Sequence, residues 1–260
     1  MGGYIRVSQP FVQRLLRSPL LPLLTVTVLG LTAIWPLLTL NSLRTDDGIL
    51  HLYRLVELDH CLRQGLLFPR WFPDVAFGYG SPFLSFRAPL GYYLAEALHL
   101  LGLPFSAALN GTFALALLLS GWTMYLWVRD VWGQQRAIVS AVAYMYAPYL
   151  LLDALFRANL PESVALALLP LILWAFRRLV VYGGARYFLL SALTYALLTI
   201  THNISTLLFT PLLVLYILFL HIRLSATTSV TLSAITSAAV SAAIPAALAL
   251  ALGLGLGAFF

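Results

Sequence analysis

Residues 45–87 read TDDGILHLYRLVELDHCLRQGLLFPRWFPDVAFGYGSPFLSFR, and they interrupt a chain that is otherwise almost entirely apolar. This polar stretch follows the first long apolar run and precedes all the others. Acidic and basic residues are interspersed here with aromatic residues, prolines and glycines. The stretch therefore divides the chain into a first apolar segment, a polar loop and a long apolar remainder, and we expect the loop to carry the functional site.

The composition predicts an integral membrane protein. Of the 260 residues, 61% are hydrophobic and only 9% are charged, whereas a soluble domain carries roughly 25% charged residues. Such a chain lacks the polar surface that water requires, so we expect an all-α polytopic membrane protein. The net charge of +6 comes from arginines spread between apolar runs. This distribution is typical of membrane topology signals, and we expect no nucleic-acid partner.

The run Ser18–Leu43 predicts a first membrane span, because about 20 apolar residues cross a bilayer. It is longer than the apolar core of a signal peptide, and no small-residue cleavage site follows it. We therefore expect one membrane domain, residues 1–260, whose parts follow one another along the chain. They are a cytoplasmic N-terminus (1–18), a first span (19–42), an outer loop with interfacial helices (43–104) and the remaining spans (105–260).

Arginine counting addresses whether residues 88–103, which are apolar but few, cross the membrane. If they cross, only four of the 15 arginines stay on the cytoplasmic side. If they lie at the interface or re-enter, nine of the 15 do so. The positive-inside rule favours the second arrangement. It predicts about seven spans in the plasma membrane, with the N-terminus in the cytoplasm.

The same arrangement gathers polar residues on the outer face. Eight of the nine acidic residues fall there. One outer loop brings Asp153, Arg157 and Glu162, and another brings His202 and Asn203. Polar residues at span ends can be ordinary boundary markers, which is the alternative interpretation. Acid, base and amide groups delivered by three loops to one face nevertheless indicate a shared site.

The first part of the polar stretch predicts a surface helix. From Ile49 to Leu66, leucines recur at helical spacing, which is typical of an amphipathic helix lying on the bilayer. The preceding Asp46 and Asp47 can cap such a helix. Asp47, His51 and Arg54 would then share one face at positions i, i+4 and i+7. The alternative is a helix cap followed by a solvated face.

The order of these motifs resembles the GT-C superfamily of membrane glycosyltransferases. The motifs are Phe68-Pro69-Arg70-Trp71, Gly78-Tyr79-Gly80-Ser81-Pro82 and Pro89-Leu90-Gly91-Tyr92-Tyr93, placed after a first span and an acidic pair. Within the superfamily, the chain is most similar to bacterial multispan proteins labelled "6-pyruvoyl-tetrahydropterin synthase-related", a domain label that need not imply pterin chemistry. Arg87 departs from the pattern, which has an aromatic residue there. Such proteins usually continue further, so we expect the N-terminal part of a longer architecture.

The resemblance implies a GT-C-like bundle that transfers sugar from a polyprenyl-phosphate-linked donor to an unknown acceptor on the non-cytoplasmic face. An acidic residue of the first outer loop acts as base or binds a divalent metal, a role that maps onto Asp46 or Asp47. A carboxylate can take the proton of an acceptor hydroxyl, and arginine can bind the leaving phosphate. The candidate substrate ligands are His51, Arg54, Arg70, Arg157, His202 and Asn203. The candidate metal ligands are Asp153 and Glu162.

Two other functions fit the same pattern. The chain could be a transporter or flippase for a lipid-linked substrate, or a non-catalytic fragment or partner subunit that keeps the fold. The depth of the polar residues discriminates between transport and transfer. A transporter needs polar residues at the membrane midplane, and a transferase needs them at the outer rim.

Overall fold

The computed structural model describes residues 20–39, 45–227 and 232–258, and side chains within 21–39, 45–224 and 243–258. The predicted cytoplasmic N-terminus, 1–18, lies outside the described residues. Over the described ranges the chain is helical and forms no strand, which confirms the predicted all-α class. A single pair of loop residues, Phe72 and Ser81, exchanges backbone hydrogen bonds of 2.8 and 2.9 Å.

The described part of the chain forms a series of α-helices joined mostly by short connections. They are α1 (Leu20–Thr39), α2 (Gly48–Arg63), α3 (Leu90–Leu100), α4 (Phe105–Trp132), α5 (Gln134–Met145), α6 (Pro148–Leu152), α7 (Leu160–Tyr182), α8 (Ala185–Thr199), α9 (Asn203–Thr227) and α10 (Leu232–Gly257). A 3₁₀ turn, Phe83–Ser85, precedes α3, and a π-helical turn, Asp153–Arg157, follows α6.

Four of these helices, α1, α4, α7 and α9, are long and apolar enough to cross a membrane. Helix α5 and the segment Pro148–Arg157 make a fifth span if they count as one, and they meet at an angle of 41°. Proline disfavours helical backbone in the residue before it, and Ala147 is accordingly extended, with ψ of 131°. The described residues thus contain four or five candidate spans. The count of about seven stays a prediction, as does the GT-C-like arrangement.

Helix α3 has 11 residues, a length of about 16 Å at the helical rise per residue. The hydrocarbon core of a bilayer is about 30 Å thick. Helix α3 alone is therefore too short to cross it, in agreement with the interfacial or re-entrant placement that arginine counting favours for 88–103.

Helices α4 and α7 form the centre of the bundle. Helix α4 packs against α1, α3, α5 and α7, and α7 in turn packs against α8 and α9. Helix α2 ends at Arg63, three residues before the predicted end. Its Leu55 and Leu58 are buried in a cluster with Tyr92 and Phe113. The predicted apolar face of α2 therefore rests on α3 and α4, and its position on the bilayer surface stays a prediction.

Charged residues lie at both ends of the bundle. Asp130, near the end of α4, forms ion pairs with Arg177 and Arg178 of α7. At the other end, α2, α7 and α9 begin, with Asp47 before α2 and Glu162 in the first turn of α7. We call this the cavity end. The acidic residues of the polar stretch and Asp130 thus lie apart, as the topology predicts.

Candidate functional site

A cavity of about 650 Å³ opens at the cavity end. Its wall is built from α2, the segment before α3, the π-helical turn and the first turns of α7 and α9. The charged residues of the wall are Asp47, Arg54, Arg87, Arg157 and Glu162, and they are joined by His51, Tyr92, His202 and Asn203. Three separate regions of the chain, within residues 47–92, 149–162 and 202–208, therefore deliver polar groups to one cavity.

Backbone hydrogen bonds fix the acidic pair to the π-helical turn. The N–H of Asp46 donates to the carbonyl of Phe156 at 3.0 Å, and the N–H of Asp47 donates to that of Arg157 at 3.0 Å. Asp47 lines the cavity, whereas the exposed Asp46 does not. The structure therefore separates two residues that the sequence left equivalent.

The turn that starts α2 leaves the Asp47 carboxylate free for the cavity. The expectation that Asp46 or Asp47 caps α2 is wrong, because Asp47 makes no capping hydrogen bond and Thr45 Oγ1 accepts the N–H of Gly48 at 3.1 Å. A Cβ atom on Gly48 would lie 2.2 Å from that same oxygen. A larger residue at position 48 would therefore push the Thr45 hydroxyl away from the start of α2.

A buried histidine, His51, lines the cavity together with Asp47. The side chain of His51 is 3% exposed. Its Nδ1 lies 2.7 Å from the Tyr92 hydroxyl, and its Nε2 accepts the N–H of Leu160 at 3.4 Å. Burial, helped by the charges of Arg54 and Arg87, lowers the pKa of His51 to about 3. Burial raises the pKa of Tyr92 to about 12. Both groups are therefore neutral near pH 7.

Two arginines give the cavity positive charge. Arg54 donates to the Tyr92 hydroxyl at 3.3 Å, and its guanidinium lies 4.5 Å from the Phe83 ring centroid. Arg87 reaches the wall because the N–H of Leu90 donates to the carbonyl of Ile200 at 3.0 Å, which ties the start of α3 to the end of α8. Neither guanidinium contacts a carboxylate among the described residues.

The charge of Arg157 is compensated. Its guanidinium lies 3.1 Å from Asp153, 3.3 Å from Glu162 and 3.2 Å from the hydroxyl of Tyr149. Asp153 is fully buried and accepts a second hydrogen bond, of 2.7 Å, from Ser163. Asp153 therefore lies behind the cavity wall and holds Arg157 in position.

The metal prediction receives no geometric support. Within the described ranges, no group of three or more histidine, cysteine or acidic side chains is arranged to hold a metal ion. The two candidate ligands, Asp153 and Glu162, are instead linked through the guanidinium of Arg157. A metal role for them stays a prediction.

The loop predicted to carry His202 and Asn203 is a short turn between two helices, since α8 ends at Thr199 and α9 begins at Asn203. His202 Nδ1 lies 2.8 Å from the Ser205 hydroxyl, and burial lowers the pKa of His202. Both predicted residues line the cavity. Arg70 does not, and its guanidinium lies 5.9 Å from the Phe68 ring centroid instead.

The structure thus brings seven predicted residues together: Asp47, His51, Arg54, Arg157, Glu162, His202 and Asn203. It leaves Asp46, Arg70 and Asp153 outside the wall. Sequence reasoning missed Arg87, Tyr92 and Tyr149 as site residues. The signal that could have found Arg87 was its departure from the expected aromatic residue at that position.

The apolar helices and this charged end define a polytopic membrane protein with a polar cavity at one end. The chain belongs to the family described as 6-pyruvoyl-tetrahydropterin synthase related domain, membrane protein, whose model matches residues 84–251. The match includes Arg87, Glu162 and His202, and it begins after Asp47.

A relative and the solved structures complete the comparison. An "Uncharacterized protein" of Lactococcus lactis subsp. cremoris (strain MG1363) is 21% identical over 206 residues, covering 77% of this chain and 33% of the relative. The chain thus spans about a third of that protein's length. No solved structure matches.

Proposed function

We propose that the cavity is the active site of a membrane glycosyltransferase. In this proposal, sugar passes from a polyprenyl-phosphate-linked donor to a hydroxyl acceptor at the cavity end, which topology predicts to be non-cytoplasmic. One observation carries it. Asp47, whose carboxylate has no hydrogen-bond partner in the described part of the chain, shares a cavity with Arg54 and Arg87, which contact no carboxylate there. A proton acceptor and a phosphate-binding pair thus face the same space.

The donor phosphate is assigned to Arg54 and Arg87. Guanidinium groups bind phosphate through paired, charge-assisted hydrogen bonds. Arg157 is the weaker candidate, since Asp153 and Glu162 already balance its charge. The neutral His51 adds no charge to this part of the wall, so its positive charge comes from Arg54 and Arg87.

The reaction follows from these positions. The acceptor oxygen attacks the anomeric carbon and forms the new glycosidic bond, while its proton moves to the Asp47 carboxylate. The bond between the anomeric carbon and the phosphate oxygen breaks, and its electron pair stays on the phosphate. Arg54 and Arg87 stabilise the charge that develops there. The lipid phosphate and the glycosylated acceptor are the two products.

The rim of the cavity suits the lipid part of the donor. Four apolar side chains on the rim are strongly exposed, at 49% for Leu50, 72% for Phe86, 59% for Ile204 and 65% for Leu208. Ile204 and Leu208 belong to α9, a candidate span with much of its surface uncovered. A polyprenyl chain can lie along this apolar side while its phosphate enters the polar wall.

Sugar transfer by the purified chain tests the proposal. The chain is reconstituted in liposomes with radiolabelled polyprenyl-phosphate sugars and membrane extract as acceptor source. We expect label to leave the donor in the wild type. We expect this transfer to fall at least about 100-fold in Asp46→Asn/Asp47→Asn, the lower end of the range for losing a general base. Undiminished transfer by the double variant would overturn the catalytic assignment.

Transport is the second candidate, and the depth of the charges argues against it. Asp47 precedes α2, Glu162 lies in the first turn of α7, and His202 precedes α9. Buried polar residues within α4, such as Thr112 and Ser120, bond to carbonyls of their own helix. A transport path needs polar groups at midplane depth. A fluorescent polyprenyl phosphate that crosses the bilayer faster with the protein present would favour transport instead.

A further inference from the structure

The loop between α2 and α3 exposes aromatic side chains that the proposed reaction does not use. We call Phe68–Phe86 the aromatic loop. Trp71 is 54% exposed, Phe77 103% and Tyr79 86%. Contiguous exposed apolar surface of this kind marks sites of membrane or protein contact.

The exposed aromatic residues belong to a loop with its own packed interior. Phe72 is buried and stacks on Phe83 with ring centroids 5.6 Å apart. Phe72 and Ser81 exchange two backbone hydrogen bonds, and the N–H of Asp74 donates to the buried Glu57 carboxylate at 3.0 Å. The base of the loop is thus tied both to itself and to α2.

The backbone at the tip is held in an uncommon conformation. Ala76, Phe77 and Gly78 have φ angles of 56°, 60° and 85° in succession. A bulky residue such as phenylalanine rarely adopts the left-handed region. A Cβ atom on Gly80 would lie 2.3 Å from the Trp71 indole nitrogen, so Trp71 packs directly on that glycine. The fold accepts these constraints and leaves Phe77 fully exposed.

The charge pattern favours lipid as the partner. Val75–Phe86 contains no charged residue, and Asp74 and Arg87 bound it. Aromatic residues concentrate where the hydrocarbon and headgroup regions of a bilayer meet. The loop joins α2 to α3 and contacts the cavity wall, since the ring of Phe83 meets Tyr92 edge-on at 5.4 Å. It therefore lies at the end of the bundle where this protein's own bilayer has one of its two surfaces.

We propose that the tip Phe77–Tyr79 inserts into the headgroup region of the bilayer leaflet at the cavity end. Insertion removes the exposed rings from water. It also fixes the level of Arg54 relative to the lipid surface, because Arg54 lies over Phe83 at the base of the same loop. The insertion holds whatever reaction the cavity performs.

Spin labels measure the depth of the tip directly. Phe77→Cys and Tyr79→Cys are each labelled with a nitroxide and reconstituted in lipid nanodiscs. The native Cys61 is buried and does not compete for the label. Relaxation by oxygen, which concentrates in lipid, is compared with relaxation by a water-soluble nickel chelate. Gln64→Cys, exposed at the end of α2, is the water control, and Leu212→Cys, 60% exposed on α9, is the lipid control.

We expect both tip labels to give an oxygen-to-nickel ratio several-fold above that of Gln64→Cys, shifted toward that of Leu212→Cys. A ratio equal to the water control at both positions would overturn the proposal. Low accessibility to both reagents would also overturn it, because a second copy or another protein would then cover the tip. Two tip positions are measured so that a local effect of one label does not decide the outcome.

Discussion

Replacing Arg87 or Arg54 by glutamine removes one of the two cavity guanidinium groups that contact no carboxylate among the described residues. A hydrogen bond to a charged group contributes about 1.5–3 kcal/mol. Arg87 is exposed, so we expect the lower limit, which corresponds to about tenfold in Kd. Arg54 is half-buried and held by Tyr92 and Phe83. For Arg54→Gln we therefore expect the upper limit, about 100-fold.

Calorimetry with a short, water-soluble prenyl phosphate measures this loss without requiring turnover. Arg63→Gln is the matched control, because it removes the same charge from the same helix. Arg63 is 64% exposed and pairs with Asp59 at 2.7 Å, and it is not part of the cavity wall. We expect its Kd to stay within about twofold of the wild type, since exposed ion pairs contribute little. Equal weakening by all three variants would refute the reasoning and indicate a general effect of net charge.

Two further variants test the buried histidine of the cavity and the turn that starts α2. Because burial lowers the pKa of His51 from 6.5 to about 3, the unfolded state binds more protons between these values. Stability should then fall as the pH drops through this window, by at most about 1.4 kcal/mol per pH unit. His51→Gln should flatten the dependence of the unfolding midpoint on pH, and an unchanged slope would contradict this. Gly48→Ala should lose the Thr45 cap, about 1 kcal/mol, and recover up to about 1 kcal/mol of helix propensity. Its thermal midpoint and its sugar transfer should therefore both stay near the wild-type values, because Asp47 keeps its backbone hydrogen bond to Arg157, and a loss of transfer as large as that of Asp47→Asn would contradict this.

Helical periodicity predicted one side of the site. Asp47, His51 and Arg54 were placed on one face from their spacing alone, and all three line the cavity. This worked because a regular helix converts spacing into direction. The same reasoning could not anticipate that the leucines of α2 pack on protein, since burial against lipid and burial against helices leave the same pattern.

The predicted membrane topology indicated the part of the site that lies outside the polar stretch. Counting arginines grouped Arg157, Glu162, His202 and Asn203 with the polar stretch, and the structure brings them into one wall. The sequence could not reveal that Asp153 bonds to Ser163 and Arg157 behind that wall. The i,i+4 spacing of Asp153 and Arg157 is compatible with their ion pair, but the bond from Ser163 and the burial of Asp153 depend on the tertiary fold around the π-helical turn.

The sequence did not predict the directions of adjacent side chains or of side chains in irregular segments. Asp46 and Asp47 are adjacent, and the direction of each side chain depends on how their segment is held against the π-helical turn, to which both donate a backbone hydrogen bond. Arg87 follows a loop without periodicity, so its direction depends on the contact between Leu90 and Ile200. Long-range backbone contacts of this kind set the geometry here, and local sequence does not encode them in a readable form.

The comparison of Asp47→Asn with Asp46→Asn tests the central claim most directly. Both variants remove one carboxylate from the same turn, but only Asp47 lines the cavity. Sugar transfer from the polyprenyl-phosphate donor is measured for each single variant in liposomes. We predict a loss of at least about 100-fold for Asp47→Asn and nearly wild-type transfer for Asp46→Asn. Full transfer by Asp47→Asn, or an equal loss in both variants, would contradict the assignment of Asp47 as the base.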